Sequence, residues 1–188
     1  MARRIFDFDP PDRFVAGTVG EPGARSFFLQ ARDARQIVSV SLEKVQVAAL
    51  AERLGRLLFE LDQRGIVAPG AAKPEVDVTP LDEPLHEAFR AGTLTLGWDG
   101  ESGKILIEAR EIQEDEEDEP SEEAETIGDD DPDGPDVFRV RIALEAARAF
   151  VERATRVIQA GRPPCPLCGN PLDPQGHICP RRNGQYVH

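Results

Sequence analysis

The pattern Gly-x-x-Gly-Glu-x-Gly occurs twice in this chain, as Gly17-Thr18-Val19-Gly20-Glu21-Pro22-Gly23 and as Gly97-Trp98-Asp99-Gly100-Glu101-Ser102-Gly103, at an offset of 80. A repeated glycine-rich turn constrains the fold strongly, because each copy reverses the chain between two strands in the same way. Arg13 to Thr18 and Ser26 to Gln30 flank the first turn. Thr93 to Leu96 and Lys104 to Glu108 flank the second. These runs carry the β-branched, aromatic and aliphatic side chains of strands. Each returning strand then runs into Ala-Arg, at Ala31-Arg32 and Ala109-Arg110.

A third strand and a helix follow in both copies. Aligned on their Leu-Glu pairs, Ile37 to Glu43 matches Phe138 to Glu145, at an offset of about 102. The first helix carries Leu50, Leu54, Leu57, Leu58 and Leu61, which form one apolar stripe at helical spacing. Ser41 is its expected N-cap and Gly65 its expected stop. The second helix carries Ala147, Phe150, Val151, Ala154, Val157 and Ile158 and ends at Gly161. Between the copies, Ile66 to Pro80 is rich in Pro and Ala and reads as a linker. Asp82 to Ala91 reads as a short helix with Leu85 and Phe89 on one face. The expected organisation is a first β/α unit over 1–65, a linker with a short helix over 66–92, a second unit over 93–161 and a tail over 162–188. The expected fold class is α+β, with two ββ(β)α repeats about a pseudo-twofold and two long helices on one face of antiparallel sheet. One continuous sheet and two separate lobes both remain open.

The net charge of −13 is concentrated in one place. Residues 114–133 hold 13 acidic residues and no basic ones, which leaves 35 − 13 = 22 acids against 22 Lys and Arg elsewhere. A run such as Glu114 to Glu119 repels itself and has nothing apolar to bury, so 114–133 reads as a disordered insertion between the second and third strands of the second unit. No run of apolar residues is long enough to span a bilayer, and no apolar segment follows Arg3-Arg4, so the expected location is the cytoplasm.

The three cysteines lie in the tail: Cys165-Pro166-Leu167-Cys168, then His177-Ile178-Cys179. An odd number of thiols in a reducing compartment favours metal over disulfide. Cys165, Cys168, His177 and Cys179 make a Cys3His set that fills a zinc tetrahedron, a closed structural site with no position left for a catalytic water. A C-x-x-C redox pair lacks its βαβ context here. Glu21 and Glu101 in the turns, with Arg32 and Arg110 after the returning strands, are the polar groups repeated in both copies. They are the candidates for a ligand groove between the units. Arg181, Arg182 and Tyr186 beside the cysteines could touch nucleic acid, which the acidic run opposes.

The opening Arg4-Ile5-Phe6-Asp7-Phe8-Asp9-Pro10-Pro11-Asp12-Arg13-Phe14-Val15-Ala16-Gly17, the helix start Ser41 to Val47, and the tail with Cys165 to Gly169 and Gly176 to Arg181 resemble an uncharacterised actinobacterial domain-of-unknown-function family, also described as a repeat protein. The resemblance covers almost the whole chain. It implies a cytoplasmic protein and carries no activity with it.

The expected function is therefore that of a non-enzymatic, zinc-containing binding or adaptor protein with a protein partner. An enzyme or small-ligand binder using the groove is the alternative, and nucleic-acid binding through the tail a third reading. If the four tail residues share one metal, the purified chain will contain about one zinc. Cys168→Ser will release it and make the tail protease-sensitive, while circular dichroism reports both long helices retained. Three freely titrating thiols in the native protein would contradict the site.

Overall fold

A computed structural model describes residues 3–66, 75–113 and 131–161. Its strands are β1 (Ile5–Phe8), β2 (Arg13–Val19), β3 (Ser26–Arg32), β4 (Ile37–Leu42), β5 (Glu87–Asp99), β6 (Lys104–Glu111) and β7 (Val137–Ile142), with helices α1 (Lys44–Gln63) and α2 (Leu144–Gln159). The class is mixed α+β. All seven strands belong to one sheet in the order β1-β7-β6-β5-β4-β3-β2.

Both glycine-rich turns connect antiparallel neighbours, β2 with β3 and β5 with β6, and the third strands β4 and β7 pair antiparallel with β3 and β6. The sheet is not antiparallel throughout, as the sequence pattern suggested. β4 pairs parallel with β5, and β1 pairs parallel with β7. The first contact joins the two three-stranded halves edge to edge.

The short helix expected over Asp82 to Ala91 is a strand from Glu87 onward. Pro84 disfavours helix in the residue before it, and Ser39 and Ser41 of β4 supply ladder partners for Glu87 and Arg90. This long-range pairing overrides the local apolar spacing. After a register shift between Ala91 and Leu94, β5 pairs with β6 alone. β1 and β2, interrupted at Asp9-Pro10-Pro11-Asp12, play for β7 and β3 the part that the single β5 plays for β4 and β6. Asp7 stands opposite Arg139, and Glu87 stands opposite Ser39.

The sheet coils strongly. β7 and β2 are five positions apart in the strand order, about 24 Å in a flat sheet with about 4.8 Å between strands, yet the rings of Phe14 and Phe138 are 6.3 Å apart. Phe14 also lies flat on Phe150 of α2 at 4.6 Å, and Phe138 meets Phe8 at 5.8 Å. Phe8, Phe138 and Phe150 belong to a single core cluster that includes Val47, Leu50, Leu54, Leu58 and Leu61 of α1, and the partly buried Phe14 packs against it. α1 packs on α2 and on β5, whereas α2 packs on β2. Each helix thus covers the first long strand of the other half.

α1 is capped by Glu43 rather than Ser41. The Gln46 side chain accepts the Glu43 N–H at 2.7 Å, completing a capping box, while the Ser41 hydroxyl donates to Glu87 at 2.5 Å. At its other end Gly65 adopts φ +70°, and the amides of Gly65 and Ile66 reach back to Asp62 and Leu61. The helices begin at Lys44 and Leu144, so they are offset by 144 − 44 = 100 residues rather than the 102 given by the Leu-Glu pairs. Most of the 114–133 acidic run and the entire 162–188 tail lie outside the described residues.

Phe150 is 1% exposed and joins α2 to β2 through Phe14. Phe150→Ala is expected to lower unfolding free energy in a urea titration by about 4 kcal/mol. A loss below about 1 kcal/mol would mean that this stack is not part of the folding core.

Candidate functional site: an arginine clamp at a sheet edge

β2 ends the sheet, so among the described residues one side of its backbone has no strand neighbour. An open edge invites pairing with another chain and is normally covered. Here Arg153 reaches over it from α2. Its Nε donates to the Ala16 carbonyl at 2.7 Å, its Nη1 to the Asp77 carbonyl at 2.5 Å and carboxylate at 3.2 Å, and its Nη2 to the Thr79 carbonyl at 2.7 Å. One guanidinium therefore links the sheet edge to an extended stretch of chain that precedes β5.

Arg13 holds the same stretch from β2. Its Nε donates to the Asp77 carboxylate at 2.5 Å, and its Nη2 donates to the Thr79 hydroxyl and the Pro80 carbonyl, both at 2.8 Å. Both arginine side chains are only 9% exposed. Further along, Gln30 makes a two-point contact: its Nε2 donates to the Asp82 carbonyl at 3.0 Å and its Oε1 accepts the Asp82 N–H at 2.7 Å. Leu81 lies on Gly17, where an added Cβ would stand 2.5 Å from Leu81 Cδ2. Gly17 is thus a close-approach glycine, whereas the positive φ angles of the first turn belong to Gly20 and Gly23. Residues 77–82, within the stretch read as linker, are a strap fixed to β2 and β3.

The charges are balanced where they are least solvated. The Arg13 hydrogen bond is the main reason that the Asp77 carboxyl sits well below the usual carboxylate range. Burial opposes this, and hydrogen bonds from Thr79 add to it. Burial lowers the affinity of Arg153 for its proton. A cavity of about 510 Å³ opens beside the strap, lined by Asp12, Arg13, Arg32, Asp77, Thr79 and Asp82.

A second group of buried charges lies on β6 and β7. Glu108 is fully buried, with Arg110 Nε at 2.9 Å on one oxygen and Arg139 Nε at 2.8 Å on the other. In the first half, the matching cross-strand place is taken by Gln30 and Ser39, joined by a 3.0 Å hydrogen bond.

The four groove candidates do not converge. Glu21 and Glu101 are exposed at the hairpin turns, whereas Arg32 and Arg110 lie toward the opposite ends of β3 and β6, bound to Asp82 and Glu108. Six residues of strand separate Ser26, just after the first turn, from Arg32, about 20 Å at about 3.3 Å per residue. The metal candidates Cys165, Cys168, His177 and Cys179 lie outside the described residues. Sequence reasoning missed Arg13, Arg153 and Asp77. The one local signal was Arg153 itself, a cation among the small and apolar residues of the second helix face.

Fold and site together define an α+β protein that grips an extended acidic stretch of its own chain against a sheet edge. No curated protein matches the sequence, and no solved structure matches it. A family profile does match, over residues 6–179: the chain belongs to DUF3090, a family of proteins of unknown function. Among the described residues, no helix is long and apolar enough to cross a membrane.

The clamp makes stability pH-dependent. The folded pKa of Asp77 lies below its unfolded value, so its contribution is present above about pH 4 and fades as the pH falls through the folded value. Asp77→Asn should cost about 1 kcal/mol at pH 7 in chemical denaturation, a modest figure because the side chain is 34% exposed. The difference from wild type should shrink steadily below pH 4. A pH-independent difference would assign the loss to packing instead.

Proposed function

We propose that this chain is a non-enzymatic, zinc-containing adaptor that holds extended peptide segments of a protein partner. The observation that carries this reading is the grip of Arg13 and Arg153 on residues 77–80. Most of the bonds go to main-chain carbonyls and one carboxylate anchors the register, the chemistry by which a protein surface recognises an extended acidic peptide.

Two further proposals belong to the same reading. The halves are copies of one strand-strand-strand-helix unit about a pseudo-twofold axis. Support comes from the matched registers Asp7–Arg139 and Glu87–Ser39, the helix starts 100 residues apart, and the buried pairs 47/147, 50/150 and 54/154 at that same offset. The tail binds one structural zinc through Cys165, Cys168, His177 and Cys179 in a reducing, cytoplasmic setting, and gives the partner a second rigid contact.

Affinity purification of the tagged full-length chain from its native cells tests the reading. It should retain a specific protein that survives nuclease treatment and is released by zinc chelation or by truncation after Gly161. Recovery of nucleic acid alone, or turnover of a small molecule without any protein partner, would overturn it.

A further inference from the structure

The clamp on β2 has a counterpart position in the second half that no described residue fills. Arg53 stands 100 residues before Arg153 on the matching face of α1, and Leu96 stands 80 residues after Ala16 at the matching place on β5. Around them a cleft of about 190 Å³ is lined by Gln46, Leu50, Arg53, Gly92, Leu94 and Leu96. Beyond Arg90, β5 has no partner on the β4 side among the described residues. From Leu94 to Asp99 it is laddered to β6 only. This is a sheet edge of six residues, half-buried along its length. Arg53 is exposed and has no ion-pair or hydrogen-bond partner among the described residues. The neighbouring Gln46 Nε2 is already committed to the carbonyls of Ala91 and Gly92, at 3.1 and 2.7 Å, and fixes the mouth of the cleft.

We infer that this edge, from Gly92 to Asp99 under Arg53, is a docking groove for an extended, carboxylate-bearing segment of a partner protein. The first half shows the chemistry required. Arg153 there joins one edge carbonyl to the carbonyl and carboxylate of an aspartate and to the carbonyl two residues further on. A segment with the pattern Asp-x-Thr, laid along β5, would give Arg53 the same partners and satisfy the backbone groups of the open edge by strand addition. A cation with no counter-ion among the described residues specifies a negative side chain. Leu94 and Leu96 against Leu50 provide apolar contact for the alternate side chains.

This inference rests on the adaptor reading and names its contact surface, and the two fail separately. Partner capture that persists in Arg53→Ala removes only this groove, whereas failure of the unmutated chain to capture any protein partner removes the adaptor reading.

The direct test is fluorescence anisotropy with the full-length protein and a labelled, end-blocked peptide of the strap sequence Glu75-Val76-Asp77-Val78-Thr79-Pro80-Leu81-Asp82. Saturable binding is expected, weakened about tenfold when the protein carries Arg53→Ala or the peptide carries Asp77→Asn, as loss of a charge-assisted contact implies. Amide exchange should slow over Leu94–Asp99 when the peptide is bound. Arg53 is exposed, so the variant should fold, and its circular dichroism checks this. Absence of saturable binding, affinity indifferent to Arg53→Ala, or protection confined to Arg13–Val19, meaning exchange with the native strap, would each overturn the proposal. Binding that appears only after truncation following Gly161 would also overturn it, since the groove would then belong to the chain's own tail.

Discussion

The exposed backbone edge of the first long strand in each half is the constraint around which this molecule is arranged. A three-stranded antiparallel unit has two edge strands. β4 and β7 find parallel neighbours in β5 and β1, whereas β2, and β5 beyond Arg90, have none on the outer side among the described residues. Backbone N–H and C=O groups left unpaired away from water are costly. The coiling of the sheet brings each such strand beneath the helix of the other half. The core is therefore shared: Phe14 of β2 stacks on Phe150 of α2, while α1 packs over β5. Arg153 follows from this exchange of helices. Because α2 crosses β2 at its open edge, a side chain on the rim of α2 can cap the Ala16 carbonyl and recruit residues 77–80 as a covering strap.

The same frame carries different chemistry in its two halves. At one cross-strand position on the sheet, Gln30 and Ser39 form a neutral pair that also holds the strap, while Glu108 and Arg139 form a charged one that also takes in Arg110. A buried ion pair stabilises little over a well-packed neutral pair, yet breaking it by removing one partner is expensive. A buried charged group on β6 and β7 thus stands where β3 and β4 carry a neutral pair that also contacts the strap. The helix rim shows the converse. Arg153 is spent on the strap, and Arg53 is left facing solvent beside Leu94 and Leu96.

Much of the fold was legible because it is encoded locally. The glycine-rich hairpins, the third strands and both long helices follow from turn chemistry and from periods of two and 3.6 residues. What the sequence concealed depends on distant partners. β1 is four residues long and adjoins Pro10 and Pro11, and only its ladder with β7 makes it a strand. Glu87 to Ala91 carries helix-like spacing and becomes strand because β4 lies alongside. Ser41 is the better cap by residue type, but Glu87 claims its hydroxyl and Gln46 completes a box with Glu43. The clamp was hidden for the same reason. Arg13 and Arg153 are 140 residues apart in sequence, and their common partner Asp77 lies in a stretch that composition marks as linker. Choosing site residues by repetition led to Glu21, Glu101, Arg32 and Arg110, which a strand's length keeps apart.

Two arginines 100 residues apart stand on α1 and α2, Arg153 bonded to a covered edge and Arg53 beside an edge that is open among the described residues. The unfolding free energies of Arg153→Ala and Arg53→Ala, measured side by side in the full-length chain, test this contrast most directly. Removal of Arg153 should cost about 3 kcal/mol or more, since it breaks four hydrogen bonds made by a side chain that is only 9% exposed. Removal of Arg53 should change stability by no more than about 0.5 kcal/mol, as for a surface side chain without partners among the described residues. Equal losses at the two positions would contradict the account, because Arg53 would then already be engaged and the edge of β5 already covered.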